Sequence, residues 1–425
     1  MPDILLAMPG AVPALLARLA PEGAGNFGAL LLALAAMLAT AKILGDVCET
    51  VGQPAVLGEM LAGILLGPSV VGLVDPHAPE IYALGEIGVI ILLFQIGLET
   101  DLRKLMAVGG AAAAVAFVGV AVPFALGYYV SLLLGLEQMV ALVMGAALTA
   151  TSVGITARVL SDLGRLQDPE SQVVLGAAVI DDVVGLVILA VVGAMVAGGP
   201  VTPLLVGRLT LTAFGFILAA LVVGRFVVPR LFDALDRHLK GPSLPLIALT
   251  VAFLVALLAK AVGSALIIGA FTAGLLFGGT KQHHAIEKGV VQIGYFFVPL
   301  FFVTVGALVN VRDFADPRVL LVGGVITVCA VVGKVVAGYA PFWFAGRKLV
   351  IGVGMVPRGE VGLIFASMGL GTGVFDSKLF AAAALMVMAT TFLAPVVLRA
   401  LLAPKAGPPA PDEDLPGSTE LVSRV

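Results

Sequence analysis

Apolar runs of about 20 residues recur along almost the whole chain, separated by short stretches that hold most of the charged residues. A helix of that length crosses the ~30 Å hydrocarbon core of a bilayer, so each run predicts one membrane span. The predicted spans, numbered 1 to 13 in chain order, cover residues 28–47, 52–72, 83–102, 107–134, 139–162, 172–197, 201–228, 243–262, 264–279, 290–309, 317–343, 347–372 and 378–403. The pattern therefore predicts an all-α polytopic membrane protein with about 13 transmembrane helices.

Both ends of the chain depart from this pattern. Residues 1–27 hold one short apolar stretch that Pro9 and Pro13 interrupt, and we expect them to form an extracytoplasmic extension. Residues 404–425 are rich in proline, glycine and acidic residues. That composition cannot bury a core, and it predicts a disordered cytoplasmic tail.

Composition favours a membrane protein over a soluble one. Hydrophobic residues make up 60% of the chain and charged residues 12%, about half the charged fraction of soluble domains. The two cysteines, Cys48 and Cys329, match no metal or redox spacing. The four histidines all fall in predicted loops. We therefore expect an integral membrane protein with no cofactor, no enzymatic activity and no nucleic-acid partner.

Lysine and arginine residues are distributed unevenly across the predicted topology. With the N-terminus outside, 16 of the 24 lie at cytoplasmic ends and loops, five lie outside and three lie within the membrane. Cytoplasmic loops of membrane proteins carry an excess of these residues. The distribution therefore predicts a bacterial inner-membrane protein with its N-terminus outside and its C-terminus in the cytoplasm.

Three sequence blocks recur in the same order at almost one shift. The matching pairs are residues 52–67 with 263–278 at a shift of 211, 97–103 with 306–312 at 209, and 152–157 with 360–365 at 208. The blocks predict that spans 1–6 and 8–13 are equivalent. A repeat that begins seven spans later starts from the opposite side of the membrane. The two six-helix halves should therefore be inverted, as in many secondary transporters.

Two adjacent aspartates, Asp181 and Asp182, lie near the middle of span 6 in the sequence AAVIDDVVGL. A carboxylate at that depth costs at least ~2.5 kcal/mol, and charges within the membrane usually mark a transport pathway. Lys334 lies mid-helix in span 11, at similar depth, and is a natural partner for one acid. A salt bridge that locks two helices would explain one aspartate. Because one lysine can neutralise only one of the two aspartates, the second aspartate favours a mobile cation as its charge partner.

Spans 5 and 12, which are repeat mates, both carry polar residues at their centres. Those of span 5 are Thr149, Thr151 and Ser152, and those of span 12 are Arg358 and Glu360, which follow Pro357. Interrupted helices at matching places in two halves point to a transport site, because unwound backbone offers carbonyl oxygens to a cation. The alternatives are hydroxyls that bond back within their own helix, and an Arg358–Glu360 pair that neutralises helix dipoles.

The motifs LGAAVIDDVVGLVILAVV, ATSVGITARVL, VGKVVAG and GVGMVPRGEVGLI resemble those of NapA-type bacterial sodium/proton antiporters, in the second monovalent cation:proton antiporter family. The resemblance runs from about Leu30 to Leu402. It implies a homodimer in which a core domain slides against a fixed dimerisation domain, an elevator-type movement. Mapped onto this chain, the dimerisation domain is 28–104 and 243–309, the core domain is 107–197 and 317–403, and 198–240 is a linker helix.

Competition for one site gives an exchange mechanism. Adjacent carboxyls repel, so one of them holds its proton more tightly, and Na⁺ or Li⁺ then competes with H⁺ for Asp182, with Thr151 and Asp181 as further ligands. The resemblance implies that Asp181 pairs with Lys334 until sodium binds, so that two protons exchange for one sodium and transport is electrogenic. Potassium/proton exchange uses the same chemistry and stays open. A sodium-coupled organic-anion symporter is less favoured, because it needs no paired acids.

Overall fold

A computed structural model describes residues 25–51, 53–196, 202–236, 243–262 and 266–402. The expected extension lies almost wholly outside this part of the chain, and the expected tail lies entirely outside it. The helices are α1 Gly25–Thr50, α2 Ala55–Leu66, α3 Pro79–Glu99, α4 Leu102–Ala107, α5 Gly109–Leu133, α6 Gln138–Ala147, α7 Val153–Asp162, α8 Pro169–Val196, α9 Pro203–Asp236, α10 Ser243–Ala261, α11 Leu266–Gly278, α12 His283–Ala307, α13 Pro317–Ala337, α14 Lys348–Gly354, α15 Gly359–Gly371 and α16 Ser377–Leu402, with a 3-10 turn at Val311–Ala315.

Helices occupy all thirteen predicted span positions within the described ranges. Nine of them are long and apolar enough to cross a membrane, namely α1, α3, α5, α8, α9, α10, α12, α13 and α16. Spans 2 and 9 correspond to the short helices α2 and α11, and spans 5 and 12 are each broken into two half-helices. The prediction of an all-helical, multi-pass membrane protein is confirmed.

Several predicted boundaries are wrong. Span 2 was expected over 52–72, but α2 has only 12 residues, which is about 18 Å. Span 11 was expected to reach residue 343, but α13 ends at Ala337, where the N–H of Gly338 bonds back to the Lys334 carbonyl at 3.3 Å. Lys334 therefore lies in the last turn of α13 rather than mid-helix. Apolar patterning alone does not detect such an end.

The histidines at 283 and 284 lie in a helix rather than in the predicted loop. α12 begins at His283, seven residues before the apolar run of span 10. Glu287, one turn further on, places a carboxylate oxygen 3.4 Å from His283 Nε2 and 3.5 Å from His284 Nδ1. The helix therefore extends seven residues beyond the apolar run, through a polar segment that holds no proline.

The helices pack as two bundles. The first bundle contains α1–α3 and α10–α12, and the second contains α5–α8 and α13–α16. Helix α9 contacts α8 in the second bundle and α10 and α11 in the first. The division into a dimerisation domain, a core domain and a linker, which the resemblance implies, stays a prediction.

Glycine contacts show the repeat in three dimensions. A side chain at Gly63 on α2 would collide with the Val303 carbonyl on α12, and one at Gly274 on α11 would collide with the Phe94 carbonyl on α3. Under the sequence repeat, α2 is equivalent to α11 and α12 is equivalent to α3. The same close approach thus occurs once in each half, and it requires a residue with no Cβ.

Candidate ion-binding site

The two broken helices meet at their breaks. The first break joins α6 to α7 across residues 148–152, and the second joins α14 to α15 across residues 355–358. The backbone N–H of Ser152 donates to the carbonyl of Pro357 at 2.8 Å, so each break satisfies a polar group of the other. Exposed backbone in a membrane is tolerated only with such partners.

Local sequence explains the second break. Pro357 has no backbone N–H to continue the ladder. Gly359 has a φ of +48°, a left-handed conformation that favours glycine. A Cβ at this position would also collide with the Ser152 side chain on the opposite break. The two broken helices therefore cross at a point where only glycine fits.

Asp181, Lys334 and Thr151 converge beside the crossing. Lys334 Nζ lies 2.7 Å from Asp181 Oδ2, and both side chains are 0% exposed. The Thr151 hydroxyl donates to the same Asp181 oxygen at 2.6 Å, and the carbonyl oxygen of Met355 lies 3.2 Å from that hydroxyl. The other oxygen, Asp181 Oδ1, is buried and has no hydrogen-bond partner among the described residues. The expected pairing of an acid on span 6 with Lys334 is thus present in the structure.

Asp182 is followed in the chain by a residue that contacts the other bundle. It is 6% exposed and precedes Val183, which packs against Ile268 on α11 of the first bundle. Asp181 faces Lys334 inside its own bundle. The two adjacent carboxyls therefore point in different directions, as neighbouring residues on a helix do.

Arg358 donates hydrogen bonds to backbone carbonyls where the two broken helices cross. Its side chain is fully buried, and its guanidinium donates to the carbonyl of Ala150 and, at 3.3 Å, to the carbonyl of Ala330. Ala150 lies just beyond the carbonyl end of α6, where a cation compensates the helix dipole. This placement agrees with the dipole-neutralising alternative. The side chain of Glu360, its expected partner, lies outside the described residues.

The four hydroxyl residues at the centre of span 5 have different surroundings. Thr149 donates to the Ala146 carbonyl at 2.7 Å, which is a back-bond within its own helix. Ser152 is buried at the crossing beside Gly359. Thr156, one turn into α7, donates to the Gly354 carbonyl at 2.6 Å and ties the half-helices together. Thr151, by contrast, bonds directly to the Asp181 carboxylate at the site.

The arrangement offers two carboxylates, a hydroxyl and unwound carbonyls around one buried ammonium. Hard monovalent cations bind such oxygen ligands, and the same oxygens accept protons. The chemistry available is therefore reversible binding of a cation in competition with protons.

Comparison with known proteins agrees with this chemistry. The family described as "Sodium/hydrogen exchanger, transmembrane" matches residues 29–403. The chain is 38% identical over 427 residues to the high-affinity Na(+)/H(+) antiporter NhaS3 of Synechocystis sp., covering 91% of this chain and 93% of that protein. It is 36% identical over 371 residues to the Na(+)/H(+)-K(+) antiporter GerN of Bacillus cereus, covering 86% and 94%.

A solved structure, the sodium proton antiporter MjNhaP1 from Methanocaldococcus jannaschii, shares the fold with a TM-score of 0.64. The match covers 88% of this chain and 97% of that one at 19% identity, so it concerns the fold alone. The resemblance to monovalent cation:proton antiporters is confirmed at the family level by the sequence matches. The chain belongs to the family of transmembrane sodium/hydrogen exchangers.

Proposed function

We propose that the protein is a secondary active antiporter that exchanges sodium or lithium for protons across the bacterial inner membrane. The observation that carries this proposal is the buried Asp181–Lys334 pair at 2.7 Å with Asp182 next to it in the chain. Two carboxylates beside one ammonium, with the Thr151 hydroxyl bonded to Asp181, give an oxygen-rich site that suits one monovalent cation or a proton. The antiporter names of NhaS3 and GerN support the same activity.

Sodium and protons compete at this site. Asp182 is the direct ligand, because Asp181 is paired with Lys334, and Thr151 and Asp181 complete the oxygen set. When sodium attracts Asp181, Lys334 loses the anion that supports its charge and releases a proton. Asp182 releases a second proton as it takes up the cation. Two protons then leave for each sodium, and transport is electrogenic.

Alternating access follows from the two bundles. The first bundle, α1–α3 and α10–α12, is the dimerisation domain of a homodimer, and the second bundle is the core domain that carries the site. The core slides against the first bundle while α9 links the two. This division is supported by the packing, in which the ion-site residues Asp181, Lys334 and Thr151 all belong to the second bundle.

Sodium-driven proton flux in proteoliposomes tests the function. A sodium pulse outside vesicles loaded with a pH dye should alkalinise the lumen with the parent protein. Asp182→Asn should abolish the response while the protein keeps its size-exclusion profile. Glu80→Gln is a matched control, because it removes an exposed carboxylate at the start of α3, far from the site in sequence and packing. Normal exchange by Asp182→Asn would show that the cation binds elsewhere.

Potassium is a second candidate cation, favoured by the Na(+)/H(+)-K(+) name of GerN. The same vesicles pulsed with potassium instead of sodium separate the two. A response to potassium at equal or lower concentration than to sodium would assign the protein to potassium/proton exchange.

A further inference from the structure

Helix α7 joins the ion site to the boundary between the bundles. Its ten residues span about 15 Å. Thr151, the hydroxyl that bonds to Asp181, lies just before its first residue. Arg158, Ser161 and Asp162 lie in its last two turns, against α2 and α3 of the first bundle. A displacement of α7 therefore moves both ends together.

Charged and polar side chains at the far end of α7 contact the first bundle. Arg158 pairs with Asp162 of its own helix at 3.0 Å and lies 4.0 Å from Glu59 on α2. The Ser161 hydroxyl donates to the Glu99 carboxylate on α3 at 3.0 Å. The contacts of Arg158 with Glu59 and of Ser161 with Glu99 cross between the two bundles, whereas the Asp181–Lys334 pair stays within one.

Glu59 is the buried carboxylate in the contact between Arg158 and the first bundle. Its side chain is 7% exposed, and its Oε2 atom is buried with no hydrogen-bond partner among the described residues. It lines a cavity of ≈ 750 Å³ that Asp46 and Glu49 also line. A buried carboxylate stays charged at tolerable cost only near a cation, and Arg158 is the cation that faces it. Moving α7 away would leave Glu59 buried without the Arg158 cation beside it.

We propose that Glu59 and Arg158, assisted by Glu99 and Ser161, form a latch that holds the two bundles in the described arrangement and opens when the core slides. The inference rests on the sliding movement in the proposed function. Because the latch and Thr151 are carried on one short helix, displacement at the ion site is transmitted to the latch. The latch residues position the core and do not touch the transported cation.

Cross-linking across the boundary measures the latched population without requiring transport. A Cβ at position 154 on α7 would lie 3.6 Å from the Leu92 Cδ2 on α3, in ordinary contact. The pair Leu92→Cys/Gly154→Cys, with Cys48→Ala and Cys329→Ala, should therefore be joined through disulfides to a short bis-methanethiosulfonate cross-linker. Glu59→Gln in this background should slow cross-linking about threefold or more, since losing the charge partner shifts the equilibrium away from the latched state.

Three further variants make the result decisive. Glu59→Asp keeps the charge and should restore most of the rate. Asp46→Asn removes a carboxylate from the same cavity whose partner is Lys42 on its own helix, and should leave the rate unchanged. Ser161→Ala, a small change that preserves folding, should slow the reaction to a lesser degree.

An unchanged rate in Glu59→Gln, or equal slowing in Asp46→Asn and Glu59→Gln, would overturn the latch. If Glu59→Gln does not fold, an unchanged rate in Ser161→Ala overturns it instead. A parent that cross-links normally but fails to exchange sodium would refute the proposed function, and the cross-linking rates would still decide the latch.

Discussion

Replacing Lys334 with glutamine removes the cation from a fully buried ion pair. Its Nζ is 2.7 Å from Asp181 Oδ2, with both side chains 0% exposed. Removing one partner of such a pair costs about 3–5 kcal/mol. Asp181 can take up a proton in response, so the loss should be smaller at low pH and grow as pH rises. The double variant Asp181→Asn/Lys334→Gln leaves neither charge unpaired and should recover most of the stability lost.

The effect of Lys334→Gln on transport distinguishes a proton carrier from a helix lock. With two protons per sodium, one net charge crosses in each cycle, and a potential of 100 mV contributes about 2.3 kcal/mol per charge. That energy sustains a sodium gradient of about 50-fold with equal pH on both sides. Glutamine leaves one proton per sodium, so exchange becomes electroneutral. The membrane potential should then sustain no sodium gradient, and the sodium concentrations on the two sides should become about equal.

The assay sets a potassium diffusion potential with valinomycin across proteoliposomes and records internal sodium at steady state. The parent should accumulate or expel sodium according to the sign of the potential. The variant should equilibrate sodium whatever the potential, at a reduced rate. If Lys334→Gln sustains the parent's gradient, the lysine only locks α13 to α8 and carries no proton.

Three other predictions concern competition, topology and stability. The sodium concentration that half-saturates exchange should rise as pH falls from 9 to 6, and a constant value would remove the competition model. In a cysteine-free background, Ser377→Cys should be labelled from outside and Ser418→Cys from inside; labelling of both from one side would contradict the thirteen-span topology. The side-chain bond from Lys378, at 2.6 Å, lowers the pKa of Asp316 below its usual 3.8. The ionised carboxylate therefore stabilises the fold above pH 3.8. This stabilisation is lost as the pH falls through the lowered pKa. Asp316→Asn should therefore lower the Tm at pH 7 but progressively less below pH 3.8, whereas an equal loss at both would show that the charge is irrelevant.

Sequence patterning predicted the spans and the central pair because both depend on the bilayer. Apolar runs must match its thickness, and a charge at the depth of Asp181 needs a counter-charge such as Lys334. Helix ends outside the apolar runs depend on local bonding instead. Gly338 closes α13 four residues after Lys334, and the polar first turn of α12 continues into a helix. Neither signal appears in a count of hydrophobic residues.

The roles of single hydroxyls and interface charges required the packed structure. Thr149 and Thr151 are two positions apart with the same side chain, yet one bonds back to Ala146 and the other reaches Asp181. The difference arises because both residues lie beyond the end of α6 at Ala147, where the backbone leaves the helical path. The approach of Arg158 to Glu59 likewise depends on the relative position of the two packed bundles. No local sequence pattern specifies that position.

The contact between the Thr151 hydroxyl and the Met355 carbonyl, which joins the two breaks, has a consequence for the biogenesis of the protein. Thr151 and its contact on the second break, the Met355 carbonyl, are 204 positions apart in the chain. At about 5–20 residues per second, a ribosome needs about 10–40 s to make the intervening chain. During that interval the first crossover lies in the bilayer or translocon without the backbone partner that completes it. The nascent N-terminal half should therefore depend on the insertion machinery or on trapped water until the second half arrives.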